Sequence, residues 1–167
     1  MPHTPTRIFA LDPMSKGFGY VVFELPFRLV DWGRAHVTGE KLSGAIASFE
    51  KLLDRFRPDA VVVEDAEAPG SKRHERIRSL LADLTRLARK QGIAVYAIAR
   101  LAILKCFSSA DAKATKYSVA ERLAETFPEL QDTLPPRRKS YNSEDFRMAI
   151  FEALALAVTH VTTERTV

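Results

Sequence analysis

Apolar residues in this chain fall into two kinds of run, short unbroken stretches and longer stretches with helical spacing, and the two kinds alternate along most of its length. Arg7-Ile8-Phe9-Ala10-Leu11 predicts a buried strand ending at Asp12-Pro13. Phe18 to Glu24 and Phe27 to Trp32, parted by Pro26, predict two more strands, so the chain opens as a three-stranded antiparallel meander. Leu42, Ile46, Phe49, Leu52, Leu53 and Phe56 then recur at helical spacing until Pro58 stops them. Ala60 to Glu64 has β-branched residues and no polar alternation, the pattern of a central strand covered on both faces.

A second helix is predicted from about Ser71 to Gln91, with Ile77, Leu80, Leu81, Leu84, Leu87 and Ala88 on one face and Gly92 beyond its end. Ile93 to Ile98 returns as a strand. A helix over Thr115 to Thr126, a basic loop through Pro135-Pro136-Arg137-Arg138-Lys139 and a last helix from about Ser143 to Thr162 complete the chain. The order βββαβαβαα implies an α/β fold: a mixed five-stranded sheet, three antiparallel strands then two parallel ones, with helices on both faces. Residues 1–6, with two prolines, read as a flexible N-terminal arm, and 7–163 as one domain.

Composition changes this picture little. Hydrophobic residues at 46% and charged residues at 28% are ordinary for a globular protein, and a net charge of +4 matters only through where the cations lie. Cys106 is the single cysteine, so no internal disulfide can form, and no Cys/His grouping has zinc-ligand spacing. No apolar run approaches the roughly 20 residues of a membrane span, and no secretory signal opens the chain. These features lead us to expect a soluble protein of the reducing cytoplasm.

Chemistry enters through three acids. Asp12 and Glu64 each end an apolar strand, and Glu152 interrupts Ile150-Phe151-Glu152-Ala153-Leu154-Ala155-Leu156-Ala157-Val158. An unpaired carboxylate buried in such surroundings costs several kcal/mol, on the order of 2–7 even for a neutral polar group. In open α/β sheets, sites gather at the carboxyl ends of strands. Three hard-oxygen donors meeting there suit magnesium, with manganese as a substitute.

Ile8-Phe9-Ala10-Leu11-Asp12-Pro13 with Gly19-Tyr20, then Val61-Val62-Val63-Glu64, then Glu152-Ala153-Leu154-Ala155-Leu156-Ala157 with His160, resemble the RuvC Holliday-junction resolvases of the RNase H-like superfamily. The order and spacing of these blocks, together with chain length, carry the resemblance from Arg7 to His160. It implies a metal-dependent endonuclease that cuts branched DNA in recombination or repair, leaves a 5′-phosphate and works as a homodimer. It also implies that Asp12, Glu64 and Glu152 bind the ions, and that Lys105 and Lys116 act near the scissile phosphate and the DNA backbone. Two departures stand out. The family's other metal-ligand position on the last helix is Ala149 here, and the loop Asp65-Ala66-Glu67-Ala68 lacks the aromatic wedge that many members place there. Asp145 precedes Glu152 by seven residues, about 10 Å along a helix axis, so it can serve as a further ligand only if the helix is irregular.

Other cations flank these acids. Lys72, Arg73 and Arg76 crowd the start of the second helix, and Arg137, Arg138 and Lys139 precede the last one, both placed to track phosphates. Trp32, Phe49 and Phe56 fit packing, His160 a core or capping role, and Cys106 has no base partner. Two alternatives remain open: a non-catalytic branched-DNA-binding protein whose metal site is impaired at Ala149, and an RNase H-like nuclease acting on RNA or ordinary duplex.

Overall fold

Along the first strand, β1 (Arg7–Met14), side chains divide between two cores. Ile8 and Ala10 pack on one face of the sheet with Val21, Phe23 and Val62, while Phe9 and Leu11 pack on the other with Phe18, Val22, Val61 and Val63. This is the period-2 alternation of a strand buried on both sides. The computed structural model describes residues 6–36, 43–69, 71, 73–137 and 145–165. Arm residues 1–5, with Lys72, Arg138 and Lys139, lie outside these described residues.

Five strands form one sheet in the order β3-β2-β1-β4-β5. Here β2 is Gly17–Glu24, β3 is Arg28–His36, β4 is Ala60–Glu64 and β5 is Ala94–Ile98. The first three pair antiparallel, and β4 and β5 join β1 in parallel, as the sequence pattern predicts. Helices α1 (Ser43–Phe56) and α2 (Glu75–Lys90) bury Phe49, Leu53, Leu80 and Leu84 against one face. Helices α4 (Lys116–Thr126) and the last helix bury Leu123, Phe151 and Leu154 against the other. Gly17 opens β2 at φ +123°, and a Cβ there would sit 1.7 Å from the Ala35 carbonyl oxygen, so this turn needs glycine.

Several elements differ from the sequence expectation, among them β3, which runs on to His36 rather than ending at Trp32. β1 runs on to Met14, because Asp12, Pro13 and Met14 keep pairing with β2, so Asp12 lies within the strand. The second helix starts at Glu75, after an irregular stretch holding Arg73. A short helix not expected from the sequence, α3 (Arg100–Phe107), follows β5; it buries only Ile103 and leaves Leu101 67% exposed, so no helical stripe announces it. The last helix, α5 (Met148–Arg165), begins later than Ser143. Asp145 accepts from the backbone N–H and guanidinium of Arg147, a local arrangement that competes with a helical turn.

Candidate functional site

Strand register brings the first two acids together. Ile8 pairs with Ala60 and Ala10 with Val62, and two residues further along the same parallel strands come Asp12 and Glu64. By alternation both fall on the face of Ala10 and Val62, which α5 covers. Asp12 is 5% and Glu64 6% exposed. Glu152, on the first turns of α5, has its side chain 11% exposed.

Two arginines occupy the space among these carboxylates. Arg73 donates through Nη2 to Asp12 Oδ1 at 2.5 Å and through Nε to Glu64 Oε2 at 2.7 Å. Arg100, the first residue of α3, donates through Nη1 to Glu152 Oε2 at 3.3 Å and lies 3.8 Å from Glu64 Oε1. Three acids from distant parts of the chain are therefore joined by two guanidinium groups. Asp12 still carries the strain of the arrangement: burial pushes its carboxyl up to about 7, Arg73 and Lys116 pull it down, and Glu152 and Glu64 add to the rise. The guanidinium of Arg73 is held above its ordinary range by Asp12 and Glu64 despite its own burial.

Two clefts open on either side of Arg73 and Lys116, which line both. One, of about 360 Å³, holds Asp12, Lys16, Arg34, Asp145, Phe146 and Ala149; the other, of about 520 Å³, holds Glu64, Ser71, Arg100 and Leu104. Asp145 therefore shares a cleft with Asp12, although its carboxylate is engaged by Arg147 and held below the usual carboxylate range by it. Ala149 is buried against Gly19.

The remaining sequence candidates divide. Lys116, at the start of α4, borders both clefts, whereas Lys105 is exposed in the last turn of α3 and lines neither. Arg76 is exposed on the first turn of α2. Arg137 lies 3.5 Å from Glu121 and over the Tyr117 ring. His160 packs on Tyr96 at 4.6 Å beside the other end of the sheet, where they line a cavity with Ile8, Leu25 and Ala60. Among the described residues, no group of three or more His, Cys, Asp or Glu side chains is arranged to hold a metal ion. No helix among them is long and apolar enough to cross a membrane.

Arg100 escaped the sequence reading, as did Lys16, Arg34 and Phe146. For Arg100 a signal existed: it is a lone cation in Ile98-Ala99-Arg100-Leu101-Ala102-Ile103-Leu104, the same anomaly by which Glu152 stands out. The other three are single residues in turns or on an edge strand, where the sequence alone carries no such mark.

No protein-family model matches this chain, and no curated protein sequence does. Solved structures do. Thermus thermophilus RuvC in complex with a Holliday junction substrate is similar with a TM-score of 0.68 and 20% identity, over 96% of both chains. A second structure of Thermus thermophilus RuvC gives a TM-score of 0.66 at 20% identity over the same shares. The yeast mitochondrial Holliday junction resolvase Ydc2 is similar at a TM-score of 0.52 and 12% identity, over 95% of this chain and 79% of its own. This chain thus shares the fold of those structures.

Proposed function

We propose that this protein is a metal-dependent, structure-selective endonuclease that cuts branched DNA such as Holliday junctions, in recombination or repair. The observation that carries this reading is the meeting of Asp12, Glu64 and Glu152 around two cationic side chains at the carboxyl ends of β1 and β4. Solved relatives in fold are resolvases, one of them with a Holliday junction bound.

The donor types are those of a hard divalent-ion site, although in the arrangement described Arg73 and Arg100 hold these carboxylates and no metal-holding group is formed among the described residues. Three carboxylates, one of them pushed up to about 7 by burial and by its acidic neighbours, make a site where added positive charge is favourable. Arg73 and Arg100 supply that charge in the state described. Asp12, Glu64 and Glu152 would hold Mg²⁺, or Mn²⁺ in its place, and Asp145, which lines the same cleft as Asp12, is the further candidate once released from Arg147. When bound, such ions activate water and stabilise the leaving oxygen of a phosphodiester.

The chain's own cations do the rest. Lys116 borders both clefts and meets the scissile phosphate, where a fixed positive charge stabilises the transition state. Lys105 on α3 contacts the backbone further along. Arg76 and Arg137 would neutralise further phosphates without reading sequence, as would Lys72, Arg138 and Lys139, which lie outside the described residues. A homodimer would pair two such sites across a four-way junction, cutting symmetrically to leave 5′-phosphates. The single Cys106 suits work in the cytoplasm.

A second reading has an observation of its own. Arginines lie among the acids, and Ala149 offers no donor, as in a branched-DNA-binding protein that has lost metal binding. One experiment separates the two: purified protein incubated with four-way junctions, linear duplex and RNA–DNA hybrid, each with Mg²⁺ and with Mn²⁺. Cutting of junctions alone, abolished in Asp12→Asn with binding retained, supports the junction nuclease. Binding without cutting under either ion supports the second reading, and cutting of hybrid or duplex assigns a different substrate.

A further inference from the structure

Phe146 is an exposed aromatic in an unusual setting. It is 46% exposed just ahead of α5, and it lines the 360 Å³ cleft that holds Asp12. Its ring carries the Arg34 guanidinium 3.7 Å from the centroid. Most large apolar side chains of this protein are buried, and an exposed ring ordinarily gains by turning inward. This one is held outward. Asp145 and Arg147 on either side close a tight local turn with three hydrogen bonds, and the Phe146 carbonyl accepts from the Ala149 N–H as α5 begins.

The surroundings select the kind of ligand. Lys16, Arg34, Arg73 and Lys116 border this cleft against two acids, Asp12 and Asp145, and Asp145 is also paired with Arg147 outside the lining. A cleft with surplus positive charge and one rigid aromatic at its rim fits a polyanion that also offers flat π-faces, which is the chemistry of a nucleic-acid strand with an unpaired base. Paired bases inside a duplex present only their edges to a protein.

We propose that Phe146, backed by Arg34, is a stacking platform for an unpaired nucleobase of the strand whose backbone runs past Asp12. This rests on the nuclease reading for the direction of the strand, though not for the stacking itself. Arg34 polarises the ring from one side and reaches toward the neighbouring phosphate, so the base and its phosphate are gripped together. The platform favours substrates with a distorted or open base pair beside the site over continuous duplex.

The test uses the full chain without added metal, with oligonucleotides carrying 2-aminopurine at the branch point of a junction, in a single strand and in a continuous duplex. Phe146→Leu keeps the apolar bulk and removes the π-face. It should weaken binding to junction and single strand about tenfold, within the range of one base stack removed. The 2-aminopurine response should vanish, with duplex binding unchanged. Phe146→Trp should restore both, and its indole emission should be quenched by single strand. Equal binding by Phe146→Leu, a loss that falls equally on duplex, or unquenched Trp emission overturns the platform. Cleavage by the wild-type chain with Mg²⁺ is scored separately. A stacking signal without cutting removes the nuclease reading and leaves the platform, whereas cutting that ignores Phe146 does the reverse.

Discussion

Gly19 and Ala149 lie so close that a Cβ on Gly19 would come within 2.6 Å of the Ala149 Cβ and 2.7 Å of its carbonyl carbon. Gly19 is paired with Asp12 across β1 and β2, so this approach seats α5 on the sheet beside the first acid. It also sets the height of Glu152, which stands one turn further along α5. Gly19→Ala must push backbone away, since the obstructing atoms include main chain. Overpacking of this kind costs typically 1–3 kcal/mol. We expect Gly19→Ala to lower the melting temperature and to impair cleavage beyond its loss of stability. A melting curve that matches wild type would show that α5 can lift without cost.

Arg73 plays two roles that can be separated. Its guanidinium is the counter-ion of Asp12 and Glu64, and both acids are nearly buried. Removing one partner of a buried ion pair costs about 3–5 kcal/mol; the Arg73 side chain is 21% exposed, so we expect about 2–3 for Arg73→Gln in chelator. A divalent ion can replace the missing charge. Mn²⁺ should therefore raise the melting temperature of Arg73→Gln far more than that of wild type, where ion and arginine compete. Equal shifts in the two proteins would mean that Arg73 does not obstruct the site.

Asp12 makes stability depend on pH in a particular direction. Its folded value, about 7, lies above the ordinary 3.8, so the folded protein holds the proton more tightly than the unfolded chain. The stabilisation this gives is complete below about pH 4 and is lost as pH rises through 7. Asn carries no such dependence. The stability of Asp12→Asn relative to wild type should rise between pH 4 and 7 by up to a few kcal/mol and then level off, measured by denaturant unfolding in chelator. A difference that stays flat across that range would place Asp12 in a far more hydrated setting.

Much of this architecture was legible because burial writes a simple pattern. Val61, Val62 and Val63 have no polar neighbour until Glu64, so both strand and acid declared themselves, and the same holds for Ile8 to Asp12. The elements that were missed are governed by other terms. Helix α3 buries a single residue, and the start of α5 is delayed by hydrogen bonds between Asp145 and Arg147. Arg73 stands out as a cation near the acids and Arg100 as a lone charge in an apolar run, but their pairing with those acids could not be read. Arg73 meets Asp12 across 61 residues and Glu152 meets Arg100 across 52, and pairing over such separations leaves no periodic trace. Lys105 and Lys116 look equivalent along the chain, yet only Lys116 borders the clefts.

That difference between the two lysines yields the last prediction. Lys116 is near enough to Asp12 to lower its carboxyl, and it borders the clefts on both sides of Arg73. A phosphate brought to an ion held by these acids would lie in a cleft that Lys116 lines. Lys105 is exposed in the last turn of α3, where it would meet a phosphate in water. Each phosphate that a variant no longer neutralises lowers the slope of log affinity against log salt by about 0.9, so both alanine variants should show a reduction of that order if both touch DNA. Their cleavage rates should part company. Lys116→Ala removes its charge beside the reacting phosphate, where deleting one stabilising group costs about 100-fold or more in turnover, whereas Lys105→Ala should bind more weakly with saturated turnover within a few-fold of wild type. Salt-titrated binding and single-turnover cleavage at saturating protein measure the two quantities separately. Equal losses of turnover would mean that α3 moves to bring Lys105 to the phosphate when DNA binds.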